Sequence, residues 1–154
     1  LDFENEIKLL QVNKNLNGKH PVDIVSTYLG AHAVPEEFKD NRGAYIDLMI
    51  NSVIPYVKEH ELAEFIDCFC EKGVYTTGEA KRILEAGKKA GLKAKIHADE
   101  VESVSAAELA GEIKAVSAEH LVSASDNGIK SLAENGVVAV LLPTTSFYLM
   151  LNKS

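Results

Sequence analysis

The sequence predicts an α/β fold built from parallel βα units, and three observations carry that expectation. Helix-period and strand-like segments alternate along the chain with short connections between them. Glycine stop signals, Gly91 and Gly136, end two of the helices just before the strands that follow. Polar residues gather at the downstream ends of the apolar strand segments, where parallel α/β folds do their chemistry.

The first element legible as a strand lies in "PVDIVSTYLGAHAVP", about residues 24–32, and is closed by Pro35. "AYIDLMINSVIPYVKEHELAEFIDCFC" reads as a helix with Pro55 in its interior, which must kink or split it, followed by a strand at about 64–70. "TTGEAKRILEAGKKAGLKAKIHADE" opens on a capping box, Thr76 with Glu79, and places Ala80, Ile83, Leu84 and Gly87 at helical spacing. Gly91 stops that helix, and a strand at about 93–98 follows at once. "SAAELAGEIKAVSAEHLV" repeats the pattern, with Ser105 and Glu108 as the expected box and a strand at about 116–122. In "SDNGIKSLAENGVVAVLLP" a short helix ends at Asn135-Gly136, and a near-continuous apolar strand covers about 137–142.

Five strands leave two architectures open. One is an open doubly wound sheet, and the other is a slice of a (β/α)8 barrel, whose full form takes about 250 residues. A dinucleotide-type open sheet should show a Gly-rich turn after its first strand, and "GAHAVP" is not one. At 154 residues without a Pro/Gly/Ser-rich linker, the chain reads as a single domain, 1–154.

Composition narrows the partners. A net charge of -7, with lysines interleaved among acids, argues against nucleic acid. No apolar run approaches the roughly 20 residues that span a bilayer, and "LDFENEIKLL" lacks the basic and apolar regions of a signal peptide. A cytoplasmic protein without a membrane partner is expected. The only cysteines, Cys68 and Cys70, share one strand face, where a mutual disulfide would be strained, so two small buried thiols in a reducing compartment are expected.

Strand ends carry His32, Asp67 with Glu71, His97 with Asp99 and Glu100, and His120, so three of the five histidines lie there. A core gives no reason to place titratable rings at equivalent positions of successive units. His20 and His60, in polar connecting stretches, read as surface residues, and Lys95 reads as a paired or snorkelled ammonium lower in the layer of His97. A hydrolytic metal centre needs about three protein ligands, an open position and a nearby carboxylate to move protons. His97 suits a ligand, Glu100 an acid/base, and His120 a ligand or hydrogen-bond donor.

Five blocks, "YLGAHAVPEEF", "FIDCFCEKGVY", "KIHADEVES", "VSAEHL" and "VAVLLPTTSFYL", taken in this order, resemble the imidazolonepropionase family of the amidohydrolase superfamily. The likeness runs from "LDFENEIKLL" to "FYLMLNKS". It implies a partial (β/α)8 barrel, strands three to seven of the parent fold. It also implies metal-dependent hydrolysis of 4-imidazolone-5-propanoate to N-formimino-L-glutamate in histidine degradation. By resemblance, His97 binds one divalent metal, zinc or iron. Glu100 contacts the substrate and shuttles protons, His120 polarises the scissile carbonyl, and His32 contacts the substrate. The family's His-x-His pair, its eighth-strand aspartate, and the arginine and tyrosine for the substrate carboxylate have no counterpart in this sequence. A piece that lacks most metal ligands and is inactive by itself is therefore expected, and the resemblance implies a homodimer for the complete enzyme. Alternatives are another amidohydrolase, such as a nucleobase deaminase, and a non-catalytic half-barrel module.

Overall fold

Five parallel strands lie side by side in the computed structural model, which describes residues 3–150. The extreme residues of the two end segments named above lie outside it. The strands are β1 (Thr27–Ala31), β2 (Phe65–Cys70), β3 (Lys93–Ala98), β4 (Ser117–His120) and β5 (Val138–Val140). Each falls within the range expected from sequence. Their spatial order is β1-β2-β3-β4-β5, and every neighbouring pair is parallel.

This order decides between the two architectures. A doubly wound sheet reverses direction at a switch point, whereas a barrel adds each new strand on the same side. Here there is no reversal. The chain is an unclosed, barrel-like sector, and its connecting helices pack on one face of the sheet, as right-handed crossovers would place them.

That face forms the core. Ile66, Cys68, Cys70, Ala94, Ile96, Ala98 and Ala118 are buried beneath the helices by two-residue alternation. Helix α4 (Thr77–Lys89) shows why this sequence docks as it does. The capping box forms as expected, with the Thr76 Oγ accepting from the Glu79 N–H and Glu79 accepting from the Thr76 N–H. Its stripe of Ala80, Ile83, Leu84 and Gly87 is buried, and Gly87 lets the helix approach Ile66 so closely that a Cβ would sit 2.6 Å from Ile66 Cγ2.

Around Pro55 the helix divides into α2 (Arg42–Leu48), a π-helical stretch at Met49–Val53, and α3 (Ile54–Glu59). Proline has no N–H for the carbonyl four residues back, and the wider turn absorbs the mismatch. Helix α6 (Asp126–Asn135) is capped by Ser125 and ends at Gly136 in the left-handed region, φ 67°.

Two features depart from the sequence reading. Ser105 does not cap α5 (Ala106–Glu112). It adopts φ 64° and makes no capping bond. Asp99 takes over that role: its carboxylate accepts from the backbone N–H groups of Val104, Ala106 and Ala107 at 2.7–3.2 Å. A charged acceptor at a helix N-terminus outcompetes a serine hydroxyl. Glu108, the other half of the expected box, accepts instead from the Ser125 hydroxyl.

The second is an unanticipated helix, α1 (Phe3–Leu16), which buries Ile7 and Leu10 and sends the buried Glu6 to accept the Leu29 N–H of the edge strand β1. A last helix, α7 (Pro143–Tyr148), buries none of its residues. Among the described residues no helix is long and apolar enough to cross a membrane.

Candidate active site

With all five strands parallel, their C-terminal ends face the same way, and the strand-end polar residues meet there. His32 follows β1, Asp67 lies within β2, His97 is next to last in β3 and His120 ends β4. The rings of His32 and His97 lie edge to face with centroids 4.6 Å apart, and those of His97 and His120 are 5.2 Å apart. Phe69 packs beside both His32 and His97, with ring centroids 6.0 Å away in each case. Glu100 reaches the same cluster, its Oε1 3.4 Å from His120 Nδ1. The structure thus brings together His32, His97, His120 and Glu100.

It adds Asp67, whose carboxylate is almost entirely enclosed, 2% exposed. Its Oδ2 is 3.0 Å from His97 Nδ1 and its Oδ1 is 3.6 Å from His32 Nε2. Burial alone would raise the Asp67 pKa, but the two histidines outweigh it and bring it down to about 2. His97 is the counterpart: burial lowers its pKa, Asp67 raises it, and the net direction is up. His120 moves down, because burial and the neighbouring His97 outweigh the attraction of Glu100. Imidazole so buried favours its neutral form.

His120 reaches the cluster through an unusual backbone. It pairs with Ala98, so plain alternation from the buried Ala118 would send it beneath the helices. Instead His120 and Leu121 are both left-handed, at φ 73° and 59°. Non-glycine residues adopt this region at a cost and gather at functional sites.

The loop carrying Glu100 is pinned by two residues, Glu71 and Ser123. Glu71, at the end of β2, accepts the N–H groups of Val101 (2.9 Å) and Glu102 (3.3 Å). The Ser123 hydroxyl donates to the Val101 carbonyl, and the Ser123 N–H donates to that of Asp99. Asp99 is turned away from the histidines into its capping role. Deeper on the same sheet face Lys95 pairs with Glu119 at 3.6 Å, the paired ammonium expected in the lower layer. His20 and His60 are exposed. Cys68 and Cys70 are free and buried against the helices.

Metal affinity can be read from the same atoms. One ligand atom from each of His32, Asp67 and His97 lies within 4.8 Å of the others, a group of three able to hold an ion among the described residues. His32 Nε2, Asp67 Oδ1, His97 Nδ1 and His120 Nδ1 are enclosed and make no well-aligned hydrogen bond. A buried carboxylate flanked by imidazoles is a donor set that suits a divalent cation.

Asp67 was within reach of sequence reasoning as a strand-end acid but carried no motif. The signal was positional: it faces Lys95 in register and shares by alternation the sheet face of Phe69, the partner of His97.

No family model matches the chain. Individual curated proteins do. Imidazolonepropionase of Geobacillus thermodenitrificans is 59% identical over 150 residues, which is 97% of this chain and 35% of the relative. The imidazolonepropionase of Treponema denticola is 55% identical over 97% of this chain and 36% of its own length. That of Alkaliphilus metalliredigens is 49% identical over 99% of this chain and 36% of its own length. The chain therefore spans about a third of the length of the curated relatives it matches. Along nearly its entire length, this chain is similar to one continuous portion of imidazolonepropionase.

Proposed function

We propose that this sequence supplies part of the active site of an imidazolonepropionase. The complete protein hydrolyses the cyclic amide of 4-imidazolone-5-propanoate to N-formimino-L-glutamate. The observation that carries the reading is the convergence of His32, His97, His120 and Glu100 at one end of a parallel sheet, in a chain 59% identical to a protein of that name.

His97 is the residue that would hold the metal, zinc or iron, since neutral imidazole suits both. When bound, such an ion lowers the pKa of a coordinated water and polarises the amide carbonyl. Glu100 is placed to take a proton from the attacking water and deliver it to the departing ring nitrogen. It lies in a largely enclosed position beside His120. His120, whose pKa is pushed down by burial, stays neutral near pH 7, so its ring N–H can donate to the carbonyl oxygen as charge develops there. His32, on the far side of His97, contacts the substrate ring.

The reading implies a small-molecule substrate, a cytoplasmic setting and a homodimeric complete enzyme. Paired substitutions in the full-length protein test it. Glu100→Gln keeps the shape and removes the proton carrier, so kcat falls by about 10² or more with metal content near wild type. His97→Ala loses metal. The reverse pattern would contradict the assignment.

A further inference from the structure

Asp67 poses a problem that the site as described does not answer. A carboxylate 2% exposed should be matched by a cation. Among the described residues no lysine or arginine pairs with it; its basic neighbours are His32 and His97. His97 Nδ1 and His32 Nε2 in turn are enclosed and make no well-aligned hydrogen bond, and the Asp67 carboxylate lies within ion-pair distance of both, at 3.0 and 3.6 Å.

We infer that Asp67 is a positioning residue that fixes the tautomer and ring orientation of His97, leaving His97 Nε2 as the metal-binding nitrogen, and holds His32 beside it.

The geometry supplies each step. Asp67 and His97 lie diagonally on one sheet face, since Asp67 pairs in register with Lys95 and His97 with Phe69. The carboxylate therefore sits one pleat deeper in the sheet than the ring and meets it at Nδ1, 3.0 Å away. A neutral imidazole carries one proton, and an anion 3.0 Å from Nδ1 draws it there. Nε2, on the opposite side of the ring, is left with its lone pair. A metal-bound histidine that donates its other N–H to a carboxylate is held in one orientation and is a more basic ligand. The second carboxylate oxygen makes a longer ionic contact to His32, and Phe69 packs beside both rings. One buried group thereby orients two histidines at the ends of different strands.

This inference rests on the reading of His97 as a metal ligand, and the test separates the two. In the full-length protein, the histidines are labelled with ¹⁵N and their ring signals assigned by single substitutions. The unmutated zinc-loaded protein should show His97 protonated at Nδ1 and zinc-shifted at Nε2. Asp67→Asn should weaken zinc binding about 10–100-fold in a chelator competition, and the metal-free variant should no longer hold His97 in a single tautomer. His97→Ala is the control. If it keeps zinc, the ligand assignment itself fails and the inference falls with it. If it loses zinc while Asp67→Asn binds zinc as tightly as the unmutated protein, only the role of Asp67 falls. Should Asp67→Asn fail to fold, the unmutated protein still decides, because zinc on His97 Nδ1 would overturn the inference.

Discussion

Glu71→Gln tests how the loop carrying Glu100 is held. Glu71 Oε2 accepts the Val101 N–H at 2.9 Å, and Oε1 accepts those of Lys72 at 2.9 Å and Glu102 at 3.3 Å. Glutamine keeps one acceptor oxygen and turns an NH2 group toward the other donors, so at least one charge-assisted bond is lost. Such a bond contributes about 1.5–3 kcal/mol. The lower half of that range applies, because Val101 is 45% exposed and water can reach part of what is uncovered. A loss near 1.4 kcal/mol in the productive loop position corresponds to about tenfold in kcat. The assay has two parts. Amide exchange at Val101 and Glu102 should accelerate, and kcat of the full-length protein should fall by roughly 10-fold. Because the effect passes through Glu100, Glu71→Gln placed in a Glu100→Gln background should cost little more. An undiminished loss in that background, or unchanged exchange at both amides, would refute the reasoning.

Gly111→Ala should lower unfolding free energy by about 1 kcal/mol or more, despite alanine's helix propensity. The added Cβ would lie 2.7 Å from the Ser131 backbone oxygen, and equal or higher stability in denaturant titration would contradict this account of α5–α6 packing. Burial pushes the Cys70 thiol up to about 12 and Cys68 well above its ordinary value, with nearby charges adding to it. Neither thiol should react with Ellman's reagent at pH 7.5 until denaturant is added, and fast labelling of native protein would count against the burial described. The 154-residue chain by itself exposes β5, with Val138, Val140 and Leu141 open on an uncharged edge. It should self-associate in sedimentation, and a monodisperse monomer would show that the edge is protected in some other way.

Much of the scaffold was legible because local and tertiary demands agree. Thr76, Glu79 and the stripe from Ala80 to Gly87 specify α4 by capping chemistry and helical period, and the structure uses every one of them. Gly136 likewise ends α6 where a left-handed residue is needed. The failures have a common cause, competition between polar groups that sequence cannot rank. Ser105 and Glu108 match a capping box, but Asp99, seven residues before Ala106, reaches the same N–H groups with a full charge. Helix α1 was missed because its apolar residues are sparse among charges, and its buried Glu6 acquires meaning only once β1 offers an unpaired N–H.

The candidate site divides in the same way. Strand direction alone is enough to bring His32, His97 and Glu100 to one end. The turn of His120 into the cluster depends on two left-handed residues that no composition rule marks. Glu71 and Asp67 read as ordinary strand-end acids until register shows what each one faces.

Anomalous diffraction at the zinc and iron edges, recorded from crystals of the full-length protein, tests the central claim most directly. The account predicts a metal peak about 2.0–2.2 Å from a ring nitrogen of His97, with Glu100 and His120 facing the same space. A fully occupied metal bound away from His97, with the strand-end cluster left unliganded, would contradict it.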